Sequence, residues 1–240
     1  MKEGIYLDKP SERLIGDLYA DEHYFKKELK RHQQSFPFDP KPRYETYKRL
    51  FDIFVCLILL VPSVLLIMLL AILIVLESPG SPIFSQVRVG QNGKLFVVHK
   101  MRSMKKDAEA NGQKWAEKND PRITRIGRFI RKVRLDELPQ LYDILAGHMS
   151  LVGPRPEVPL LTRQFEQQHP GFVTRLLVKP GLTGLAQVNG GYDIEPEEKW
   201  QIDCDYIQRR SWKLDLKIIG WTILTILSSL GNSEQKKQSS

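Results

Sequence analysis

Residues 53–76 read IFVCLILLVPSVLLIMLLAILIVL, twenty-four positions without a charge, closed by Asp52 on one side and Glu77 on the other. At about 1.5 Å rise per residue, a helix of this length crosses a hydrocarbon core of about 30 Å. It is not a signal peptide. About fifty mostly polar residues precede it, and no small-residue cleavage site follows.

Pro62 stands near the middle of this segment. It has no N–H and its ring clashes with the preceding turn, so the carbonyl of Ile58 loses its partner and the helix should bend; Ser63 beside it can cover part of the break. Two topologies fit: a Pro-kinked span, or a helix that enters one leaflet, breaks at Pro62 and returns. Lys41, Arg43, Lys48 and Arg49 precede the segment, and Arg88, Lys94, Lys100, Arg102, Lys105 and Lys106 follow it. Both flanks therefore read as cytoplasmic by the positive-inside tendency, which only re-entry satisfies. Re-entry is the expectation.

Around this anchor lies a chain of 240 residues with 42% hydrophobic residues and a formal net charge of +8. That composition excludes wholesale disorder, and a mean hydropathy of −0.31 excludes many spans. Two cysteines, Cys56 and Cys204, exclude a disulfide-built scaffold or a Cys-rich zinc site. The charge is not spread evenly: residues 77–135 hold fourteen lysines and arginines against five acids. A basic collar directly after an apolar anchor points to a membrane surface and phosphorylated ligands.

The expected fold is α+β and predominantly helical: a re-entrant membrane helix plus a cytoplasmic catalytic domain with interfacial helices and a small β-hairpin. Residues 1–47 form an N-terminal extension, with a surface helix over 11–31 and a linker at Pro37, Pro40 and Pro42. Residues 48–77 are the membrane helix, 78–230 the catalytic domain and 231–240 a polar tail. IFSQVRV and KLFVVHKM flank Asn92-Gly93, a favoured hairpin turn. Asp107 to Lys118 reads as a polar helix. In 123–135, Ile126, Phe129, Ile130 and Val133 recur at helical spacing with basic residues elsewhere, which fits a helix on an anionic membrane or one packed on the core. Residues 218–230 are uncharged but short for a span, so an interfacial and a core helix both fit.

The segment LDELPQLYDIL (135–145), followed by GHMSLVGPRP (147–156), carries the chemistry. Leu138, Leu141, Tyr142 and Leu145 share a helical face, which puts Asp136 and Glu137 at or just before a helix N-terminus, where free N–H groups favour carboxylates and phosphate. An acidic helix start alone is commonplace. With Arg131 five residues before the pair and Arg155 in a Gly-Pro-Arg-Pro turn after it, two acids among fixed arginines could hold Mg²⁺ and a diphosphate together.

These motifs resemble the bacterial sugar transferase family of monotopic phosphoglycosyl transferases over residues 47–230. The matching elements are KRLFD (48–52), Pro62, Gln86-x-Arg88-x-Gly90-x-x-Gly93-Lys94-x-Phe96, KMRSM (100–104), LDELPQ (135–140), MSLVGPRP (149–156), KPGLTGLAQVNG (179–190) and the block from Trp200 to Leu216. The resemblance implies a Mg²⁺-dependent enzyme at the cytoplasmic face of a bacterial cell membrane. Its reaction passes a sugar 1-phosphate from a UDP-sugar to undecaprenyl phosphate and releases UMP, the first membrane step of capsule or exopolysaccharide synthesis. It implies Asp136 as nucleophile and Glu137 as metal ligand or base, both near the metal. Arg131, Arg155 and Lys100 would bind substrate phosphates, Lys48 and Arg49 lipid phosphates, and Pro62 would mark the break of the membrane helix. The stretch 190–198 resembles capsule and exopolysaccharide members, which points to UDP-glucose or UDP-galactose. His148 stands where members commonly carry an acid.

Other readings fit the sequence less well. Asp203-Cys-Asp205 has the Asp-x-Asp form of a glycosyltransferase metal site, yet Trp200, Ile202, Tyr206 and Ile207 make its surroundings helical. A P-loop is absent, and His23, His32, His99, His148 and His169 show no metal-ligand spacing. A membrane-attached basic protein that binds anionic lipid or nucleic acid without turnover explains the charge but not the Asp136-Glu137 context. No nucleic-acid signature appears, so the expected partners are UDP-sugar, polyprenyl phosphate and membrane lipid, with the N-terminal extension free to mediate a homo-oligomer.

Overall fold

A computed structural model describes residues 12–105, 108, 120–190 and 194–235. Helix α1 (Glu12–Gln33) matches the expected surface helix from its described start, but it is docked on the rest of the fold. Phe25 and Leu29, one turn apart, are buried among Val89, Val173, Leu176 and Leu177. Polar ties reinforce the contact: Glu22 Oε1 accepts from Leu95 N at 2.8 Å, and Arg163 Nη2 reaches Asp21 Oδ1 at 2.5 Å.

Helix α2 (Pro42–Glu77) starts six residues before the expected boundary, with Pro42 in its first turn, where a missing N–H costs nothing. It runs through Pro62 without interruption, which corrects the expected helix-break-helix. One proline removes one intrahelical bond and bends the axis, and the leucine-rich turns on both sides keep the helical state. From Leu57 to Leu65 nearly every large apolar residue is exposed, and Ser63 is the one buried position. The two ends are covered. Cys56 packs with Phe96, Val98, Leu141, Ile144 and Ile218, while Leu70 and Ile74 pack with Met101 and Ile130.

Strands β1 (Ile83–Val89) and β2 (Leu95–Met101) form the expected antiparallel hairpin, with Val87 opposite Val97. Asn92 (φ 57°) and Gly93 (φ 73°) both take the left-handed conformation that Asn-Gly tolerates. Most of the expected helix at 107–118 lies outside the described residues. Helix α3 (Arg125–Lys132) buries Ile130 but leaves Phe129 exposed, so its apolar stripe is narrower than the spacing implied.

The remaining elements are α4 (Gln140–Leu145), β3 (Ser150–Val152), α5 (Pro159–Gln168), β4 (Gly181–Thr183), α6 (Leu185–Gly190), α7 (Pro196–Arg209) and α8 (Trp212–Gln235). β3 and β4 pair in parallel, a two-strand contact of three residues each that no sequence period announces. Helix α8 combines both readings of its segment: Ile218 is buried in the core, whereas Leu216, Ile223, Leu224 and Leu227 face outward. It also extends to Gln235, into the stretch expected to be a polar tail.

Candidate active site

The site is built on a reversal of the chain after α3. Arg134 sits at φ 57°, ψ 21°, a left-handed conformation uncommon for a residue with a side chain, and it turns the chain into a single helical turn, Leu135–Glu137. That turn packs on β2 and leads through Pro139 into α4. Asp136 and Glu137 are both buried there, before the helix N-terminus as the spacing predicts.

Glu137 is held from two sides. Arg155 Nη2 lies 2.7 Å and Lys100 Nζ 3.3 Å from its Oε1. Burial alone would raise its pKa, but Arg155 first and then Lys100 outweigh that and hold it at about 2, so the group stays ionised. Asp136 behaves in the opposite way. It makes no ion pair among the described residues, and burial followed by the neighbouring Glu137 charge pushes it up to about 6 against the pull of Lys100, Arg155 and Arg131. Burial, then Arg155, brings Lys100 down to about 8. Two neighbouring carboxylates thus differ in role, one fixed by cations and one with its oxygens open. An adjacent pair of hard oxygen donors, one of them unpaired, fits Mg²⁺, which commonly takes one or two carboxylates together with substrate phosphate.

Asp136, Glu137, Lys100, Arg131 and Arg155 therefore converge. Lys48 and Arg49 lie elsewhere and face inward. Lys48 Nζ is 2.5 Å from Asp215 Oδ2, and Arg49 donates to the carbonyls of Ile144 and Leu145 at 2.5 and 2.8 Å, at the far end of α4. Pro62 sits in the exposed middle of α2. The ring of His148 stacks on Phe96 at 5.8 Å, a packing role that needs no charge.

Sequence reasoning missed the residues behind Arg155. Arg88 Nη1 donates to the carbonyl of Pro156 at 3.0 Å, and its charge bears on Lys100. Glu157 is buried and paired with Lys199, while Arg175 and Asp203 form a second buried pair at 2.7 Å. Arg88 belonged to a quoted motif and could have been found; Arg175 stands in RLLVKPG with no signal. Asp203 and Asp205 do not share a metal site, since Asp205 pairs with Arg209 on the surface. Among the described residues, one carboxylate–imidazole group is assembled across the fold, from Glu28, His32 and Glu166, but Glu166 already accepts the N–H groups of Gly171 and Val173.

Known proteins resemble this chain over most of its length. A Bacillus subtilis (strain 168) protein, named as a provisional undecaprenyl-phosphate N-acetylgalactosaminyl 1-phosphate transferase, is 53% identical over 134 residues, covering 56% of this chain and 75% of that one. The UDP-N-acetylgalactosamine-undecaprenyl-phosphate N-acetylgalactosaminephosphotransferase of Aeromonas hydrophila is 42% identical over 195 residues, 80% of this chain and 46% of its own. The UDP-glucose:undecaprenyl-phosphate glucose-1-phosphate transferase of Escherichia coli (strain K12) is 39% identical over 181 residues, 73% of this chain and 39% of its own. The chain thus spans under half the length of the last two. The model of the bacterial sugar transferase family matches residues 43–229, which include every residue of the converging site, and the chain belongs to that family.

Proposed function

We propose that the protein transfers a sugar 1-phosphate from a UDP-sugar to undecaprenyl phosphate, with release of UMP, at the cytoplasmic face of a bacterial membrane. The observation that carries this reading is the pair of buried carboxylates, Glu137 bound to Arg155 and Lys100 and Asp136 left open. A carboxylate oxygen of Asp136 attacks the β-phosphorus; the bond from that phosphorus to the bridging oxygen breaks, and UMP leaves with the oxygen. The sugar phosphate is then held on Asp136 as an acyl phosphate. An oxygen of undecaprenyl phosphate attacks the same phosphorus, the bond from phosphorus to the Asp136 oxygen breaks, and the carboxylate returns. Covalent catalysis divides a transfer between two anionic reactants into two steps.

Lys100, Arg131 and Arg155 bring positive charge to the phosphoryl oxygens. Mg²⁺ held by Asp136 and Glu137 would neutralise charge developing on the departing UMP. A carboxylate held at about pKa 2 is a poor base near neutral pH, which supports Glu137 as a ligand over Glu137 as a base. Relatives named for N-acetylgalactosamine and for glucose both match, so N-acetylgalactosamine joins glucose and galactose as candidate sugars. The product would open capsule or exopolysaccharide assembly.

Re-entry of α2 is part of the proposal, and its support is that both ends dock on one domain. Lys48, Arg49 and Asp52 tie the first end to Asp215, to α4 and to Leu151 N. At the second end, Arg102 donates to the carbonyls of Ser78 and Pro79.

The test is UMP release by purified protein given undecaprenyl phosphate, Mg²⁺ and a panel of UDP-sugars. Release is expected with at least one sugar and is abolished in Asp136→Asn. No release across the panel would instead favour a binding protein without turnover.

A further inference from the structure

The turn that carries Arg155 is gripped from behind by two arginines on different elements. Arg175 donates from Nη2 to the carbonyl oxygen of Arg155 at 2.8 Å, and Arg88 donates from Nη1 to the next carbonyl, that of Pro156, at 3.0 Å. Arg175 uses a second arm as well: its Nε lies 2.7 Å from Asp203 Oδ2, on α7. Both side chains are almost wholly buried, at 4% and 1% exposure. The guanidinium also lies over the ring of Phe172 at 4.7 Å, which fixes its plane. A planar fork with two engaged arms is a rigid spacer, here running from α7 to the backbone of the turn.

Net stability explains this arrangement poorly. A buried ion pair often contributes no more than apolar residues of the same volume would. What the pair adds is placement. The far end of Arg155 must meet Glu137 Oε1, 2.7 Å away, and a shift of the turn by about 1 Å would break that contact.

We propose that Arg175, held by Asp203, is a positioning residue that sets Arg155 against Glu137 by fixing the carbonyl of Arg155. The inference rests on the proposed phosphoglycosyl transfer at this site. It also gives Asp203 a function unlike that of an Asp-x-Asp metal motif: it touches no substrate and acts through two other side chains.

Arg175→Lys separates placement from folding, because a lysine keeps a cation near Asp203 but lacks the second arm for the turn. UMP release with undecaprenyl phosphate, Mg²⁺ and the preferred UDP-sugar is measured for the parent, Arg175→Lys, Arg155→Ala and the double variant, with thermal unfolding of each in the same detergent. The expected result is a melting temperature close to the parent's and a fall in kcat/KM of about 10- to 100-fold for Arg175→Lys. Within the Arg155→Ala background the same substitution should change kcat/KM by less than about twofold, since nothing is left to position. Multiplying losses in the two backgrounds would overturn the proposal, as would a folded Arg175→Lys with parental kcat/KM. If Arg175→Lys does not fold, Asp203→Asn replaces it, since the amide oxygen still accepts from Nε without the charge; failure of both to fold would make the pair a folding element and overturn the proposal. An inactive parent would instead count against the transferase reading.

Discussion

Glu77, the last residue of the apolar helix α2, caps the helix that leads to the catalytic turn: its Oε1 accepts from Arg125 N at 2.7 Å and its Oε2 from Ile126 N at 3.0 Å. Thr124 Oγ1 takes the next free N–H, that of Gly127, at 2.9 Å. The exposed donors at the start of α3 are thus satisfied largely by a carboxylate from the apolar helix α2. Arg131 lies in the last turn of α3, and Arg134 and Asp136 follow directly. The exit of the apolar helix is therefore linked to Asp136, the proposed nucleophile, through one short helix.

Glu77→Ala should weaken that link. A lost helix cap costs about 1 kcal/mol, so thermal unfolding in detergent should move down by a few degrees. UMP release should fall as well, because α3 carries Arg131. Glu77→Gln retains one acceptor oxygen and should lie between alanine and parent. Parental melting and turnover in Glu77→Ala would show that the cap has no bearing on the site.

Gly127→Ala should be destabilising, against the usual rule. In a helix interior, alanine is ordinarily better than glycine by about 1 kcal/mol. Here a Cβ at residue 127 would stand 1.9 Å from the carbonyl oxygen of Ser103, so α3 or the chain after β2 must shift. Forced overpacking costs about 1–3 kcal/mol, which reverses the sign. Thermal unfolding of the variant reads it directly; a stabilised Gly127→Ala would mean that the two backbones separate easily.

What was legible in the sequence follows from how each feature is encoded. The apolar run, the Asn-Gly hairpin and the Asp136-Glu137 turn depend on near neighbours and appear as spacing. The continuity of α2 through Pro62 did not, because a proline's effect depends on whether its flanks hold the helix. The docking of α1 rests on Phe25 meeting Val173 and Leu177, about 150 residues away. Arg175 was silent for the same reason: its partners, Asp203 and the carbonyl of Arg155, lie far off in sequence. The resemblance assigned Lys48 and Arg49 to lipid phosphates, and the partners that the fold gives them, on α8 and α4, lie far off in sequence.

If Asp136 is the nucleophile, acid should silence turnover well before it touches Glu137. With its pKa raised to about 6, Asp136 holds a proton below that pH and is an ionised nucleophile above it, while Glu137 stays ionised down to about 2. UMP release at limiting Mg²⁺ should therefore rise through about pH 6 and level off. A cation binds only the ionised carboxylate, so raising Mg²⁺ should move the acid limb to lower pH. A limb that stays fixed over a hundredfold range of Mg²⁺ would separate Asp136 from the metal.

The topology of α2 can be read with two exposed positions, Tyr47 ahead of the apolar run and Ser85 after it. After Cys56 and Cys204 are replaced by alanine, Tyr47→Cys and Ser85→Cys in sealed vesicles should both react with an impermeant maleimide from the cytoplasmic side alone. Val61→Cys, in the exposed middle of α2, should be protected from both sides. The geometry behind this expectation is the reach of one strand. Phe96 and Val98 of β2 share a cluster with Cys56, before the exposed middle of α2, and Met101 of the same strand shares one with Leu70 and Ile74, after it. Phe96 and Met101 are five residues apart, about 17 Å along a strand. A straight helix would hold Cys56 about 27 Å from Ile74, eighteen residues on, farther than β2 extends between the two clusters. Labelling of the two cysteines from opposite sides would therefore require β2 to leave one of its clusters, and would rule out re-entry together with the fold around it.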